Sequence, residues 1–107
     1  MTAALAAQAD PAPPAPLALG PELTIVQAAD AHARLAQALA DAAGDLQLDL
    51  GGVTDFDSAA VQLLLATRRS LAERGDALRI STASAAVRDA LAVFGLDSLL
   101  PAQALAA

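Results

Sequence analysis

Two carboxylates and a serine hydroxyl crowd into TDFDSAAVQLLL, residues 54–65: Asp55, Asp57 and Ser58. They stand directly ahead of an apolar run with helical spacing. Four kinds of chemistry fit acids and a hydroxyl placed this way. Asp57 or Ser58 can cap the helix by accepting bonds from its orphan N–H groups. Asp-Phe-Asp has the D-x-D form of aspartyl-phosphate phosphatases, whose paired carboxylates hold Mg²⁺. Ser58 can act as a nucleophile when a base lies within hydrogen-bond reach. Ser58 can instead be a regulatory hydroxyl, which phosphorylation would give about −1.5 to −2 of charge and three acceptor oxygens.

The remaining residues narrow the choice. A phosphoryl site needs a cation to balance the phosphoryl oxygens, commonly Lys, and Lys is absent. Gly51-Gly52 also separates the acids from the strand end where that motif would begin. The lone imidazole, His32, belongs to a different predicted helix, and no G-x-S-x-G surrounds the serine. With no Cys, thiolate catalysis, disulfides and Cys-ligated metals are excluded. Gly51-Gly52 lacks the Lys and the spacing of a nucleotide loop. Capping and a regulated serine survive, and they are compatible, because a helix N-terminus tolerates an anion. The expectation is a binding module that is not an enzyme and carries no metal or cofactor.

The elements that must position these residues follow from patterning. The 107 residues suit one domain. Hydrophobic residues make up 56%, much of it Ala, and the aromatics are Phe56 and Phe94 alone, so the core is expected from Leu, Val, Ile and Ala. A net charge of −6 excludes nucleic-acid binding, which needs a basic surface, and repels anionic membranes. No apolar run is long enough to span a bilayer, and the N-terminus has no basic region of a secretory signal, so a cytoplasmic protein is expected. Residues 1–16 are rich in Ala and Pro and read as a flexible tail, leaving 17–107 as the domain.

Within that domain Leu17–Leu19 and Glu22–Val26 read as short strands joined by a turn at Gly20-Pro21. A helix is predicted over 27–43, its apolar face built on Leu35 and Leu39, with Gly44 as its C-terminal glycine. Asp45–Leu50 alternates as a strand with Leu46, Leu48 and Leu50 on one face. Val53–Asp57 is expected as loop. A helix follows over 58–74 and is closed by Gly75, its wide face including Ala60, Leu63, Leu64, Thr67 and Leu71. Ala77–Thr82 is a further strand. Ser84 caps a helix running to Phe94, a predicted core residue, with Gly95 after it. Asp97 is expected to cap a short final helix interrupted by Pro101. The β-α-β unit from Leu46 to Thr82 implies parallel strands, and the fold class is α/β.

LQLDLGGVTDFDSAAVQLLLATRRSLAERGDALRIS, followed by VRDALAVFGLDSLL, resembles a STAS domain, from about Leu46 to Leu100 and more weakly from Leu17. That family's pattern is an apolar strand ending in D-L, a short loop, D-[ST]-[SA]-G and an apolar helix; here DSAA fills the motif and Ala60 stands where Gly is usual. The resemblance implies a STAS-like fold, with a small mixed sheet of four to five strands backed by about four helices. It implies bacterial partner switching of the anti-sigma factor antagonist kind, in which an anti-sigma factor that is also a serine kinase phosphorylates the motif serine and the complex separates. By position that serine is Ser58 and the motif acid is Asp57. The expected partner surface is Asp55, Asp57, Ser58, Ala59, Ala60 and Gln62, extended by Thr82 and Ser84. Small STAS proteins found beside chemotaxis components, and those in lipid-transport complexes, supply the alternative of an adaptor without a phosphorylation switch. No nucleic acid and no membrane insertion is expected.

Overall fold

The structure is a computed structural model and describes residues 16–100. The expected tail, apart from Pro16, and Pro101 lie outside these residues. In chain order the elements are β1 (Leu17–Ala18), β2 (Glu22–Leu23), α1 (Ala28–Asp41), β3 (Leu46–Leu50), β4 (Asp55–Phe56), α2 (Ser58–Glu73), β5 (Leu78–Ala83) and α3 (Ala85–Val93). A single 3₁₀ turn, Asp97–Leu99, follows.

The α/β class and the parallel β3–α2–β5 unit are present, but the single mixed sheet is not. The strands form a three-stranded sheet ordered β1-β3-β5 and a separate two-stranded ladder of β2 with β4. All three pairings are parallel. Three α-helices and a 3₁₀ turn stand among the described residues where about four helices were expected. The reason lies in the early chain. Pro16 precedes β1 and Gly20-Pro21, joined by a cis peptide bond, follows Leu19, so backbone donors are missing on both sides and β1 closes after two residues. Leu17–Leu19 and Glu22–Val26 therefore do not pair with each other: β1 adds to β3 and β2 adds to β4.

Strand β3 is central. Leu46, Leu48 and Leu50 are buried on one face, while Gln47 is exposed on the other. Ile80 and Ala83 of β5 join that buried face through a bulge at Ser81, which shifts the register so that Leu50 sits opposite Ala83. The core is Leu, Val, Ile and Ala as composition requires, with Leu48, Leu50, Leu71, Val87 and Leu91 fully buried. Thr67, the buried polar member, satisfies its hydroxyl by donating to the Leu63 carbonyl at 2.7 Å. No helix among the described residues is long and apolar enough to cross a membrane.

Helix ends show where local signals held. Gly75 and Gly95 both adopt positive φ, and the amides after α2 and α3 bond back in the double pattern of a Schellman cap: Gly75 to Ala72 with Asp76 to Leu71, and Gly95 to Ala92 with Leu96 to Leu91. Gly44 does not have this role. Helix α1 ends at Asp41 with Ala42 extended, and the Arg74 guanidinium takes over, donating to the carbonyls of Leu39 (2.8 Å), Gly44 (3.2 Å) and Ala42 (3.4 Å). Asp97 lies inside the 3₁₀ turn and does not cap it. Phe94, expected in the core, is 49% exposed, because it is the C-cap of α3 and the core side of that cap is filled by Leu91 and Leu96.

Two outcomes follow for stability. Arg74→Ala removes the donors on the end of α1 and should lower unfolding stability by about 1–2 kcal/mol, while Arg74→Lys, lacking the planar fork, should recover only part of it in urea titration. Asp45 accepts the Ala77 amide at 2.8 Å and pairs with Arg79 at 2.8 Å, and these bonds, the backbone one foremost, hold its carboxyl below the usual carboxylate range. A depressed folded-state value gives stability that is complete above the unfolded value and lost as pH falls through the folded one. Asp45→Asn should therefore be less stable than the parent at pH 7, with the gap closing below about pH 4, as read from urea midpoints across pH.

Candidate functional site

The DFDS segment is built where β3 gives way to α2. After Leu50 the chain turns through Gly51-Gly52, with the Gly51 amide held by the Asp49 carboxylate at 2.9 Å. A Cβ on Gly51 would stand 2.7 Å from the Thr82 methyl, so only glycine lets β5 approach the turn this closely. Val53 is buried beyond it, and Thr54 donates to the Pro21 carbonyl at 2.8 Å. The chain then forms β4, a strand of two residues within the stretch expected as loop. Its register puts Asp55 opposite Glu22 and Phe56 opposite Leu23.

Asp57 is the N-cap of α2. Its Oδ1 accepts from the amides of Ala59 (2.9 Å) and Ala60 (3.3 Å). Its other oxygen, Oδ2, accepts the amide of Ile25 at 2.9 Å, 32 residues away. Ile25 lies in the turn that leads into α1. That turn closes as a capping box, Thr24-x-x-Gln27: the Gln27 side-chain oxygen accepts from the Thr24 amide (3.0 Å) and hydroxyl (2.7 Å), and Thr24 Oγ1 accepts from Val26 N–H (3.2 Å). One carboxylate thus ties the start of α2 to the turn that leads into α1. Its two oxygens accept from three amides.

With the cap supplied by Asp57, Ser58 is left as the first residue of α2, exposed. Asp55 and Gln62 are also exposed, and Ala59 is half-buried beside them. Ala60, expected on the partner face, is a core residue at 4% exposure, so its methyl packs inward and is not offered to a partner. Thr82 and Ser84 occupy the neighbouring strand-to-helix junction, since β3 and β5 are adjacent. Thr82 packs on Gly51; Ser84 donates its amide to the Leu50 carbonyl (3.1 Å) and caps α3 by accepting from Val87 N–H (3.3 Å). Their described contacts join them to the glycine turn and not to Ser58. His32 is exposed on α1.

Two residues escaped the sequence reading. Ile25 and Val26, read as strand, are 71% and 81% exposed on the turn that Asp57 holds. The signal that marks them is the T-x-x-Q of the capping box, which ends the strand at Leu23 and begins a helical turn.

A family model described as "Mlab, STAS domain" matches residues 5–101. No curated protein and no solved structure matches the chain.

The double cap makes a separable expectation. Asp57→Ala loses both sets of bonds and should destabilise by about 2 kcal/mol in chemical denaturation. Asp57→Asn retains one carbonyl oxygen for the α2 cap but offers an NH₂ where Ile25 needs an acceptor. It should be milder in denaturation while speeding amide exchange at Ile25 selectively over Ala60.

Proposed function

Because the chain belongs to the STAS domain family, we propose that it is a non-enzymatic, cytoplasmic regulatory module that binds a protein partner through the β4–α2 junction and releases it when Ser58 is phosphorylated. The observation that carries this reading is the division of labour between Asp57 and Ser58: the aspartate satisfies the helix amides and the exposed serine is left free of that role. A phosphate on Ser58 would find the Ala59 and Ala60 amides already bonded, with Asp55 and Asp57 beside it in sequence. Its charge would stay on the surface, where a partner meets it, and the fold would change little.

Magnitudes set the sign of the switch. An exposed ion pair contributes about 0.2–1 kcal/mol. Removing an ion from water into an apolar contact costs several kcal/mol. A doubly charged phosphate trapped under a docked partner therefore weakens the complex even when the partner has some basic character. The anti-sigma factor antagonist pattern fits this logic, with a serine kinase as the partner. A second reading keeps the same exposed, acidic face and drops the switch: an adaptor subunit of a chemotaxis-associated or lipid-transport assembly that docks there without phosphorylation.

Incubation with an anti-sigma serine kinase from the same source and ATP should place a single phosphate on Ser58, located by mass spectrometry, and dissociate the complex. Ser58→Asp should bind more weakly than the parent and Ser58→Ala should bind but not release. Absence of phosphate on Ser58, together with undiminished binding by Ser58→Asp, would overturn the switch. The adaptor reading gains if no kinase acts and Ser58→Ala and Ser58→Asp both abolish assembly.

A further inference from the structure

Ile25 and Val26 hold their side chains in solvent on a turn that is not free to fold them away. The capping box of Thr24 and Gln27 closes the turn from within, and the Asp57 carboxylate clamps the Ile25 amide from outside. Apolar side chains presented in one fixed geometry lose little further freedom on binding, which is the condition for a docking anchor. Ser58 directly follows the clamp in the chain, so one carboxylate holds both the anchor's turn and the start of the serine's helix.

The surrounding charge says what covers them. Glu22 stands opposite Asp55 in the β2–β4 register, and both are exposed. Like charges in opposed positions of a ladder destabilise it unless a cation comes between them. The cations nearest to them are turned to backbone: Arg34, which lines one small cavity with Glu22, donates to the Ala18 carbonyl at 2.8 Å, and Arg88, on the helix packed against β4, donates to the Ala83 carbonyl at 2.7 Å. The ion pairs found among the described residues, Arg74 with Asp76 and Arg79 with Asp45, involve neither acid. A second copy meeting the same face across a two-fold axis would press carboxylates against carboxylates.

We propose that Ile25 and Val26 are the apolar anchor of the docking face, and that its occupant is a protein with an apolar socket rimmed by Arg or Lys that meet Glu22 and Asp55. This rests on the reading of the face as a protein-docking surface, and it is independent of phosphorylation at Ser58.

The test places a photo-crosslinking phenylalanine at position 26 of the full chain in cells of its source, with Val93, equally exposed at 81%, as the control position. Mass spectrometry identifies the captured protein and the segment cross-linked. That protein is then purified, and its affinity is measured against the parent and variants whose melting curves match the parent. The expected result is capture from position 26 and not from 93, through a segment that combines apolar residues with Arg or Lys. Ile25→Ser with Val26→Ser should weaken the purified complex by roughly tenfold or more. Glu22→Gln with Asp55→Asn should weaken it less and flatten its decline with added salt. Capture only of a second copy, an acidic cross-linked segment, or full affinity in the Ile25→Ser, Val26→Ser variant would each overturn the proposal. If Ser58→Asp breaks the complex while that double variant does not, the anchor fails and the switch stands; if the double variant breaks it and Ser58→Asp does not, the switch fails and the anchor stands.

Discussion

The Asp57 carboxylate is the junction on which the geometry of the candidate site depends. One oxygen starts α2 by holding the amides of Ala59 and Ala60, and the other holds Ile25 in the turn that leads into α1. Carboxylate-to-amide bonds are charge-assisted and roughly twice as strong as neutral ones. They also place a negative group at the N-terminus of α2, which suits its dipole. The two-residue ladder of β2 and β4 has little strength alone, since so short a pairing is marginal in water. The ladder brings Asp57 within reach of Ile25, with the Asp57 amide donating to the Leu23 carbonyl at 3.3 Å, and the carboxylate in turn keeps the ladder's ends together.

Around that junction the molecule separates apolar packing from charge. Apart from Thr67, the buried residues of β3, β5, α2 and α3 are aliphatic and form one cluster, in which Ala60 takes its place as a packing residue. The substitution of Ala for the motif glycine therefore acts on the core side of α2 and leaves the exposed side unchanged. On that exposed side sit Ser58 and Gln62, with Asp55 of β4 ahead of them and Glu22 of β2 opposite Asp55, while Ile25 and Val26 lie exposed on the turn that Asp57 holds. The held backbone, exposed acids and outward apolar groups there are the features on which the proposed docking rests.

Much of the fold was legible because its signals are local. The alternation of Leu46, Leu48 and Leu50, the 3.6-residue spacing in α2, and Gly75 and Gly95 each depend on neighbours within a turn or a strand. The caps Asp57 and Ser84 did too. What misled was of two kinds. Gly44 looked like a helix-closing glycine, but Arg74 reached across 30 residues to satisfy those carbonyls, and no local pattern reports a distant guanidinium. ELTIV looked like a strand because β-branched residues favour strands, but the capping box of Thr24 and Gln27 outweighed that weak preference.

The sequence alone determined which residues would start and stop helices, that Ser58 would open one, and that the surface would be acidic. A hydrogen bond between residues two to four apart is set by backbone geometry, and side-chain type decides whether it forms. Only the tertiary structure decided that the second oxygen of Asp57 would find Ile25, that Asp55 would face Glu22, and that Ala60 would point inward. Each of those depends on where the chain returns after some 30 residues. That is set by the parallel pairing of short strands and the closure of the core, and not by any pattern within a single segment.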